Sequence, residues 1–299
     1  MRATIQLCTY NRAPLLARVL DACFEQTFDA GAYEVVLVND GSTDRTSEVI
    51  AQARERAVCR FEVIDQPNSG LAHGRNAGIA RASGERIIFI DDDVLPLPNF
   101  VEEHLRSHAR TPKAIVRGGA INVESFDELP PPLWNIRHYS GNYFWTTNVS
   151  LPLAAIRDIG GFNESFSEYG WEDIDVGLRL RFAGVRAVFN QRALVYHYKP
   201  RARSGNVEKM IAQARAQART AVQLAQLHPH WRTYLSTGIN PVQRTWGRLR
   251  GGPQLQRKLR RRLGDLGTDR ALSGVELRAA RALTNAAYFD ELEKTLRGQ

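Results

Sequence analysis

A short apolar run that ends in three carboxylates constrains the fold of this chain most. Residues 87–90 are consecutive apolar residues, and Asp91, Asp92 and Asp93 follow directly. Such a run is typical of a strand covered on both faces, and open α/β sheets bind ligands beyond the carboxyl ends of such strands. The sequence therefore predicts a buried strand that delivers three acids to one edge of a sheet.

The three acids allow two interpretations. Side chains alternate along an extended chain, so Asp91 and Asp93 can point the same way while Asp92 points elsewhere. Adjacent carboxylates repel each other unless a cation neutralises them, and Mg2+ or Mn2+ prefers oxygen ligands of this kind, usually together with substrate phosphates. The alternative is a solvated acidic turn that caps a helix beginning near Pro98. The triplet alone does not decide between them.

The first 90 residues alternate strand patterns with helix patterns. This alternation predicts a mainly parallel, twisted α/β sheet with helices on both faces, and nucleotide binding at its carboxyl edge. The predicted strands cover residues 3–8, 33–38 and 60–64, and the predicted helices cover residues 15–24, 44–56 and 71–82.

The composition indicates an ordinary soluble protein. Of the 299 residues, 43% are hydrophobic and 24% charged, and no apolar run is long enough to span a membrane. The N-terminus starts with a strand pattern rather than a signal peptide. Cys8, Cys23 and Cys59 are odd in number and lack metal-ligand spacing, so we expect reduced thiols and a cytoplasmic location.

Charge divides the chain near residue 200. Residues 201–299 carry 19 Lys and Arg against 7 Asp and Glu, a net charge of +12, whereas residues 1–200 carry 21 against 25, a net charge of −4. We therefore expect a catalytic domain over 1–200 and a basic α-helical extension over 201–299. The extension should have a helix at 204–227, after which His228-Pro229, Asn240-Pro241 and Gly251-Gly252-Pro253 separate shorter helical pieces.

Polar loops follow the first two predicted strands. Asp40 could accept a hydrogen bond from a nucleobase imino group, and Gly41 permits a tight turn, although either loop could be turn chemistry alone. Residues 70–78 bring small residues and one cation, Arg75, to a helix start. No Walker A loop or GxGxxG fingerprint occurs, which argues against nucleoside triphosphatases and dinucleotide enzymes.

Together, residues 8–12, 38–44, 70–78 and 91–93 resemble the nucleotide-binding half of family 2 glycosyltransferases, which adopt the GT-A fold. The resemblance implies that Asp91 and Asp92 face ribose and sugar, and that Asp93 binds the metal ion bridging the diphosphate. It implies nucleotide-sugar contacts from the loops and from the third helix, namely from Thr9, Tyr10, Asn11, Arg12, Asp40, Gly41 and Arg75.

A second cluster lies at residues 160–166 and 170–180. Glu172 and Asp173 would fall in the first turn of a helix, where carboxylates also act as simple caps. The segment resembles the acceptor-side signature of the same enzymes, including galactosyltransferase-like members, in which this acidic pair supplies the general base. We accordingly expect acceptor-side contacts from Trp145, Asn148 and Trp171. The resemblance thus implies a nucleotide-sugar-binding half at 1–95 and an acceptor-side half at 96–200.

Three histidines need an interpretation. Residues 185–189 and 193–198 have the patterns of two short strands that bring His197 back to the sheet. In the resemblance, a histidine after the last strand completes the metal shell, which implies that His197 joins Asp93 and Asp91. His104 and His108 have helical spacing, but no third ligand accompanies them, so we expect solvated helix residues.

The sequence thus predicts a metal-dependent, inverting glycosyltransferase that uses Mn2+ or Mg2+ and a UDP-sugar to modify a glycan or lipid-linked acceptor. The alternatives are a sugar nucleotidyltransferase and a non-catalytic nucleotide- or carbohydrate-binding module. No specific nucleic acid partner is expected. Leu255, Leu259 and Leu263 lie beside five cations and could form a helix that lies on the inner face of a membrane, or could pack on the protein.

Overall fold

The computed structural model describes residues 1–251, 253–263 and 270–298. The chain forms two compact units. Unit 1 comprises residues 1–165 and 172–200, and unit 2 comprises residues 166–171 and 201–299.

Unit 1 contains an eight-stranded mixed sheet with the strand order β3-β2-β1-β4-β7-β6-β8-β5. The first four strands in this order are parallel, β7 runs antiparallel to both β4 and β6, and β5 runs antiparallel to β8. The elements of unit 1 are β1 (Ala3–Thr9), α1 (Ala13–Phe24), β2 (Tyr33–Asp40), α2 (Thr46–Arg56), β3 (Arg60–Gln66), α3 (Leu71–Arg81), β4 (Arg86–Phe89), β5 (Val94–Pro96), α4 (Phe100–Arg110), β6 (Ile115–Val123), β7 (Val149–Pro152), α5 (Leu153–Asp158), α6 (Glu172–Phe182) and β8 (Ala187–Tyr198), with short 3-10 turns at Ala30–Ala32 and Ile136–His138.

The alternation of side chains along β4 explains why helices cover both faces of the sheet. Ile88 belongs to one core cluster, which includes Leu16 of α1. Ile87 and Phe89 point the other way, into a second cluster that contains Val176 of α6. The predicted α/β sheet with helices on both faces is confirmed.

Two local predictions for unit 1 are wrong. The patterns at 185–189 and 193–198 belong to one strand, β8, which pairs with β6 across a register irregularity between Gly118 and Gly119. His104 and His108 are not solvated but are 0% and 3% exposed. Their face of α4 packs on the sheet, because polar partners on β7 allow imidazole rings to be buried there.

Unit 2 is helical. Its core joins Val207 and Ile211 to Leu283, and Leu259 and Leu263 are buried in the same cluster. Of the three leucines at positions 255, 259 and 263, two therefore pack on neighbouring helices of unit 2, whereas Leu255 is exposed. The elements of unit 2 are a 3-10 turn at Ser204–Asn206, α7 (Val207–Leu227), α8 (Trp231–Thr237), α9 (Pro241–Gly251), α10 (Pro253–Leu263) and α11 (Gly274–Leu296).

The prediction that only short helices follow residue 227 is partly correct. Helices α8, α9 and α10 are short, but α11 has 23 residues and begins with a capping box formed by Ser273 and Glu276. Of the Gly251-Gly252-Pro253 break, Gly252 lies outside the described residues. Within the described parts of the chain, we find no helix with the length and apolar character needed to cross a bilayer.

Candidate active site

A cavity of about 300 Å3 opens where β1, β2 and β4 end. Parallel strands bring their carboxyl ends to the same sheet edge, so loops distant in sequence share this cavity. It is lined by Cys8, Thr9, Tyr10, Arg12, Asp40, Asn68, Gly70, Leu71, Gly74 and Asp92.

Asp40 holds one wall of this cavity in place. Its carboxylate accepts hydrogen bonds from Nε2 of Gln66 at 2.7 Å and from the backbone amides of Ser69 at 2.9 Å and Gly70 at 3.0 Å. Gly41 follows with φ +77°, and a Cβ atom there would lie 2.6 Å from the backbone nitrogen of Asn68. The turn after β2 therefore requires glycine.

Asn11 joins the loops that follow β1 and β2. It has a left-handed backbone conformation, with φ 54°, and its Oδ1 accepts from the amides of Thr43 at 2.7 Å and Asp44 at 3.2 Å. Tyr10 is half exposed beside it, whereas Thr9 is buried and donates to Asp92. The structure thus gathers the predicted nucleotide-side residues Thr9 to Arg12, Asp40, Gly41 and Asp92.

Asp93 lies among charges of both signs. Its Oδ1 is 3.7 Å from Nε2 of His197, and its Oδ2 is 3.6 Å from Nη1 of Arg12. Burial, followed by the charges of Asp91 and Asp92, raises the pKa of Asp93 to about 7. Burial also raises the pKa of Asp92 to about 6, against the opposing effect of Arg12.

These acids have the chemistry of a divalent cation site, although their side chains are not assembled as one. Among the described residues, no three His, Cys, Asp or Glu side chains are grouped as metal ligands. However, carboxylates whose pKa values are raised by burial and mutual repulsion gain from a nearby cation. Burial lowers the pKa of His197 to about 4, so its imidazole is neutral near pH 7, as a metal ligand requires. Asp93, Asp91 and His197 could hold such an ion.

Arg75 connects this acidic edge to Glu172 and Asp173, in the first turn of α6. Its Nη1 lies 3.2 Å from Oε1 of Glu172 and 3.1 Å from Oδ1 of Asp173, and its Nη2 lies 3.4 Å from Oδ1 of Asp91. Burial raises the pKa of Asp173 to about 6, against the lowering effect of Arg75. The two acids predicted to supply the general base therefore lie in the same charged network as Asp91, which was predicted to contact the nucleotide sugar.

Two threonines that the sequence analysis did not single out complete the network. Thr146 donates to Oδ2 of Asp173 through both its amide and its hydroxyl, each at 3.0 Å. The Thr147 hydroxyl donates to Oδ2 of Asp91 at 2.8 Å. A run of short polar residues before strand β7 was the available signal, but such residues are equally common in ordinary turns.

The predicted acceptor-side residues have different surroundings. Asn148 is 1% exposed, and its Nδ2 donates to the carbonyl oxygens of Gly119 and Ala193 at 3.0 and 2.9 Å. The ring of Trp145 packs edge-on against His197 at 6.1 Å. Trp171 belongs to unit 2, where its Nε1 donates to the carbonyl of Gln217 at 2.7 Å.

His104 and His108 form a buried network that supports Asn148. Since Asn148 donates through Nδ2, its Oδ1 must accept from Nε2 of His104, at 3.0 Å. Nδ1 of His104 then accepts from the hydroxyl of Ser150 at 2.7 Å, and Nε2 of His108 donates to that hydroxyl at 2.8 Å. Both rings are therefore neutral, and they fix the strand that follows Thr146 and Thr147.

Comparison with known families identifies this arrangement. Residues 4–161 match the model of glycosyl transferase family 2, which covers more than half of the chain. The chain belongs to glycosyl transferase family 2. Residues 134–201 of this family 2 chain also match the model described as the N-terminal domain of galactosyltransferase.

Curated relatives include bacterial family 2 proteins. The chain is 31% identical over 218 residues to validoxylamine A glucosyltransferase of Streptomyces hygroscopicus subsp. jinggangensis, an alignment that covers 61% of this chain and 52% of the relative. The enzyme of the same name from S. hygroscopicus subsp. limoneus is 30% identical, with 61% and 48% covered. This family 2 chain therefore spans about half the length of these relatives.

Solved structures share its fold. The mannosyltransferase PcManGT of Pyrobaculum calidifontis, in complex with GDP-Man and Mn2+, matches with a TM-score of 0.62 at 18% identity and covers 100% of this chain and 88% of its own. S. aureus TarS 1-349 matches with a TM-score of 0.57 at 19% identity and covers 100% and 92%. These likenesses establish the GT-A fold of the family 2 chain.

Proposed function

We propose that this protein is a metal-dependent, inverting glycosyltransferase that transfers a sugar from a nucleoside diphosphate sugar to an acceptor hydroxyl. One observation supports this most. Thr9 holds Asp92 in the cavity wall, and the preceding residue, Asp91, is joined through Arg75 to Asp173, so adjacent acids connect a nucleotide-binding edge to a candidate base. A nucleotide-binding module would not need that base.

In the proposed reaction, Asp173 accepts the proton of the acceptor hydroxyl as its oxygen attacks the anomeric carbon. The bond from that carbon to the diphosphate oxygen breaks on the opposite face, so a single displacement inverts the stereochemistry. Thr146 fixes Oδ2 of Asp173, which orients the carboxylate for this transfer. Glu172 is the alternative base, since Arg75 contacts it equally closely.

Asp93, Asp91 and His197 would hold Mn2+ or Mg2+ in this proposal. Such an ion supplies positive charge that offsets the charge developing on the departing diphosphate. Arg12 lies 3.6 Å from Asp93 and could add a second cation beside the diphosphate. Both sources of positive charge would thus lie on the leaving-group side of the site.

We propose a UDP-sugar as the donor. Three donors from the chain fix the Asp40 carboxylate beside the cavity. Oδ1 accepts two of these hydrogen bonds and Oδ2 accepts one, so Oδ2 can accept a further hydrogen bond from the imino group of uracil. The solved structures of TarS in complex with UDP and with UDP-GlcNAc are consistent with this choice. PcManGT was solved with GDP-Man, which makes a guanosine donor the main alternative.

For the acceptor, we propose a glycan or a lipid-linked saccharide, as in polysaccharide biosynthesis. The basic composition of residues 201–299 favours peripheral contact with an anionic membrane from the cytoplasmic side. Cys8, Cys23 and Cys59 are all free thiols, as a reducing compartment would require. Arg260 and its neighbours could make the contact without insertion, because Leu259 and Leu263 are already buried within unit 2.

A donor panel tests the proposal. The purified chain is incubated with UDP-glucose, UDP-galactose, UDP-GlcNAc or GDP-mannose, with Mn2+ or with a chelator, and both thermal unfolding and nucleotide release are measured. A donor that binds only the folded protein raises its unfolding temperature by mass action. We expect stabilisation and UDP release with at least one UDP-sugar in Mn2+, and neither effect with the chelator. Binding without release would instead indicate a nucleotide-binding module.

A further inference from the structure

We propose that Arg75 is a positioning residue that orients the proposed general base and links it to the donor-side acid Asp91. This inference rests on the proposed function, and it assigns Arg75 a task different from the nucleotide contact that the family resemblance implies.

The hydrogen bonds of the guanidinium group support this assignment. Each Nη atom carries two hydrogens. The Nη1 atom has Glu172 and Asp173 as acceptors, at 3.2 and 3.1 Å, and the Nη2 atom has Asp91 and Thr146, at 3.4 and 2.5 Å. All four Nη hydrogens thus have acceptors within the protein, so a diphosphate could take one only by displacing a carboxylate or the threonine.

The surroundings of Arg75 hold it in this orientation. Its side chain is 5% exposed, and its guanidinium carbon lies 5.1 Å from the ring centre of Phe162. A buried guanidinium that stacks on an aromatic face and reaches several oxygens has little freedom to turn. The orientation is therefore a property of the fold before any ligand binds.

Arg75 and Thr146 together fix both oxygens of Asp173. Arg75 donates to Oδ1, and Thr146 donates to Oδ2 through its amide and hydroxyl. Thr146 also accepts from Arg75, which closes the set of contacts. Oδ2 uses both lone pairs on Thr146, whereas Oδ1 retains a lone pair for an incoming proton, so the contacts restrict the direction of attack without blocking it.

Charge balance gives Arg75 its second task. Asp91, Glu172 and Asp173 bring three carboxylates to one buried guanidinium, and removing a partner from a buried charge cluster leaves uncompensated charge. Arg75 therefore balances the charges of Asp91 and of the proposed base Asp173 with one side chain.

The test compares Arg75→Gln and Arg75→Lys with the wild-type full chain. Lysine keeps the charge but cannot hold two carboxylates in the planar geometry of a guanidinium. Three quantities are measured in Mn2+. These are the UDP affinity, by calorimetry, and the kcat and KM for UDP release from the UDP-sugar selected by the donor panel, with water as acceptor. The pH dependence of kcat is recorded for each protein.

We expect UDP affinity within about threefold of wild type and a kcat lowered by about 100-fold in both variants, the typical contribution of a positioned general base. The acid limb of the pH profile should move to higher pH in Arg75→Gln, because a cation that favours ionised Asp173 is gone. A merely structural arginine would not move that limb.

Arg157→Gln is the matched control, because Arg157 donates to the carbonyl oxygens of Ile79 and Ala82 at the end of the helix that carries Arg75. We expect wild-type kcat and an unchanged pH profile for this variant.

Three results would overturn the inference. If both Arg75 variants lose UDP affinity tenfold or more, Arg75 belongs to the diphosphate site. If kcat stays at the wild-type value, or if both variants fail to fold while Arg157→Gln folds, Arg75 does not position the base. Failure of the wild-type chain to release UDP from any donor would instead overturn the proposed function, and this inference with it.

Discussion

The hydroxyl of Thr9 donates a hydrogen bond of 2.8 Å to Oδ2 of Asp92, although 83 residues separate them in sequence. The contact exists because β1 and β4 are parallel neighbours, which end at the same sheet edge. Asp92 is therefore held by the last residue of β1, whereas Asp91 contacts Thr147 and Arg75. The acids of the triplet have different partners, and their substitutions should have different effects.

Asp93→Ala is predicted to abolish metal-dependent donor binding with the fold intact. Asp93 is the acid nearest His197, and its carboxylate gains most from a divalent cation because burial and two neighbouring acids oppose its charge. Calorimetry with UDP in Mn2+ should detect no binding by this variant. Asp91→Ala should weaken binding less completely, and Asp92→Ala is expected to act mainly by releasing Thr9.

The exposed acid Asp127 provides a control for the loss of a carboxylate, because its side chain is 80% exposed and pairs with Arg18. Asp127→Ala should bind UDP in Mn2+ as the wild type does. Wild-type affinity in Asp93→Ala would remove Asp93 from the proposed metal site.

The buried histidines are predicted to destabilise the fold in acid. Burial lowers the pKa of His108 to about 3, and an unfolded histidine titrates near 6.5. Because the folded pKa is the lower one, the unfolded state binds the proton first, and stability present above about pH 6.5 is lost as the pH falls. At pH 5 this group alone should lower the free energy of unfolding by about 2 kcal/mol relative to pH 7.5.

The test is urea unfolding of the wild type and His108→Leu at both pH values. The variant should lose about 2 kcal/mol less stability between pH 7.5 and pH 5 than the wild type does. His73→Leu, at an exposed position, should retain the wild-type difference. Identical pH dependence in all three proteins would contradict a buried, neutral His108.

The sequence was sufficient to predict the sheet but not the inner contacts of the site. The run at 87–90 and the strand–helix alternation were sufficient to predict the doubly covered sheet, because burial on both faces leaves a clear apolar pattern. The same rule predicted that the loops after β1, β2 and β4 would meet. These inferences depend on local patterns and on the geometry of parallel strands.

The inner contacts could not be predicted in this way. No spacing rule indicates that Arg75 reaches Glu172 and Asp173, 97 and 98 residues away, because those contacts depend on how the second half of the sheet packs on the first. The burial of His104 and His108 was missed for a related reason. Their helical spacing does not reveal that Ser150 faces them from β7.

The basic region is predicted to bind anionic membranes by charge alone. Each basic residue near an anionic surface contributes about 1 kcal/mol, and Arg260, Arg261 and Arg262 lie on the exposed part of α10. The wild type should sediment with phosphatidylserine-containing vesicles at low salt, and much less at 0.5 M salt or with neutral vesicles. The triple Arg→Gln variant at these positions should lose this binding.

A triple variant with the same charge change on unit 1 controls for total charge. Arg45, Arg54 and Arg81 are exposed there, and their change to Gln should leave vesicle binding unaltered. Equal sedimentation of the α10 variant and the wild type would contradict the membrane hypothesis. The basic residues would then contribute to folding, to assembly or to binding a protein partner.

The rate of UDP release by Asp173→Asn, at saturating UDP-sugar and Mn2+, tests the account most directly. Asparagine keeps the shape and can still accept from Thr146, but it cannot take a proton. For Asp173→Asn, we predict a kcat at least about 100-fold below wild type, with the UDP affinity unchanged. For the wild type, we predict that activity falls below about pH 6, because Asp173 is then protonated. If Asp173→Asn retains the wild-type rate and Glu172→Gln does not, Glu172 is the base. If both variants retain the wild-type rate, neither acid is the base, and the central claim is contradicted.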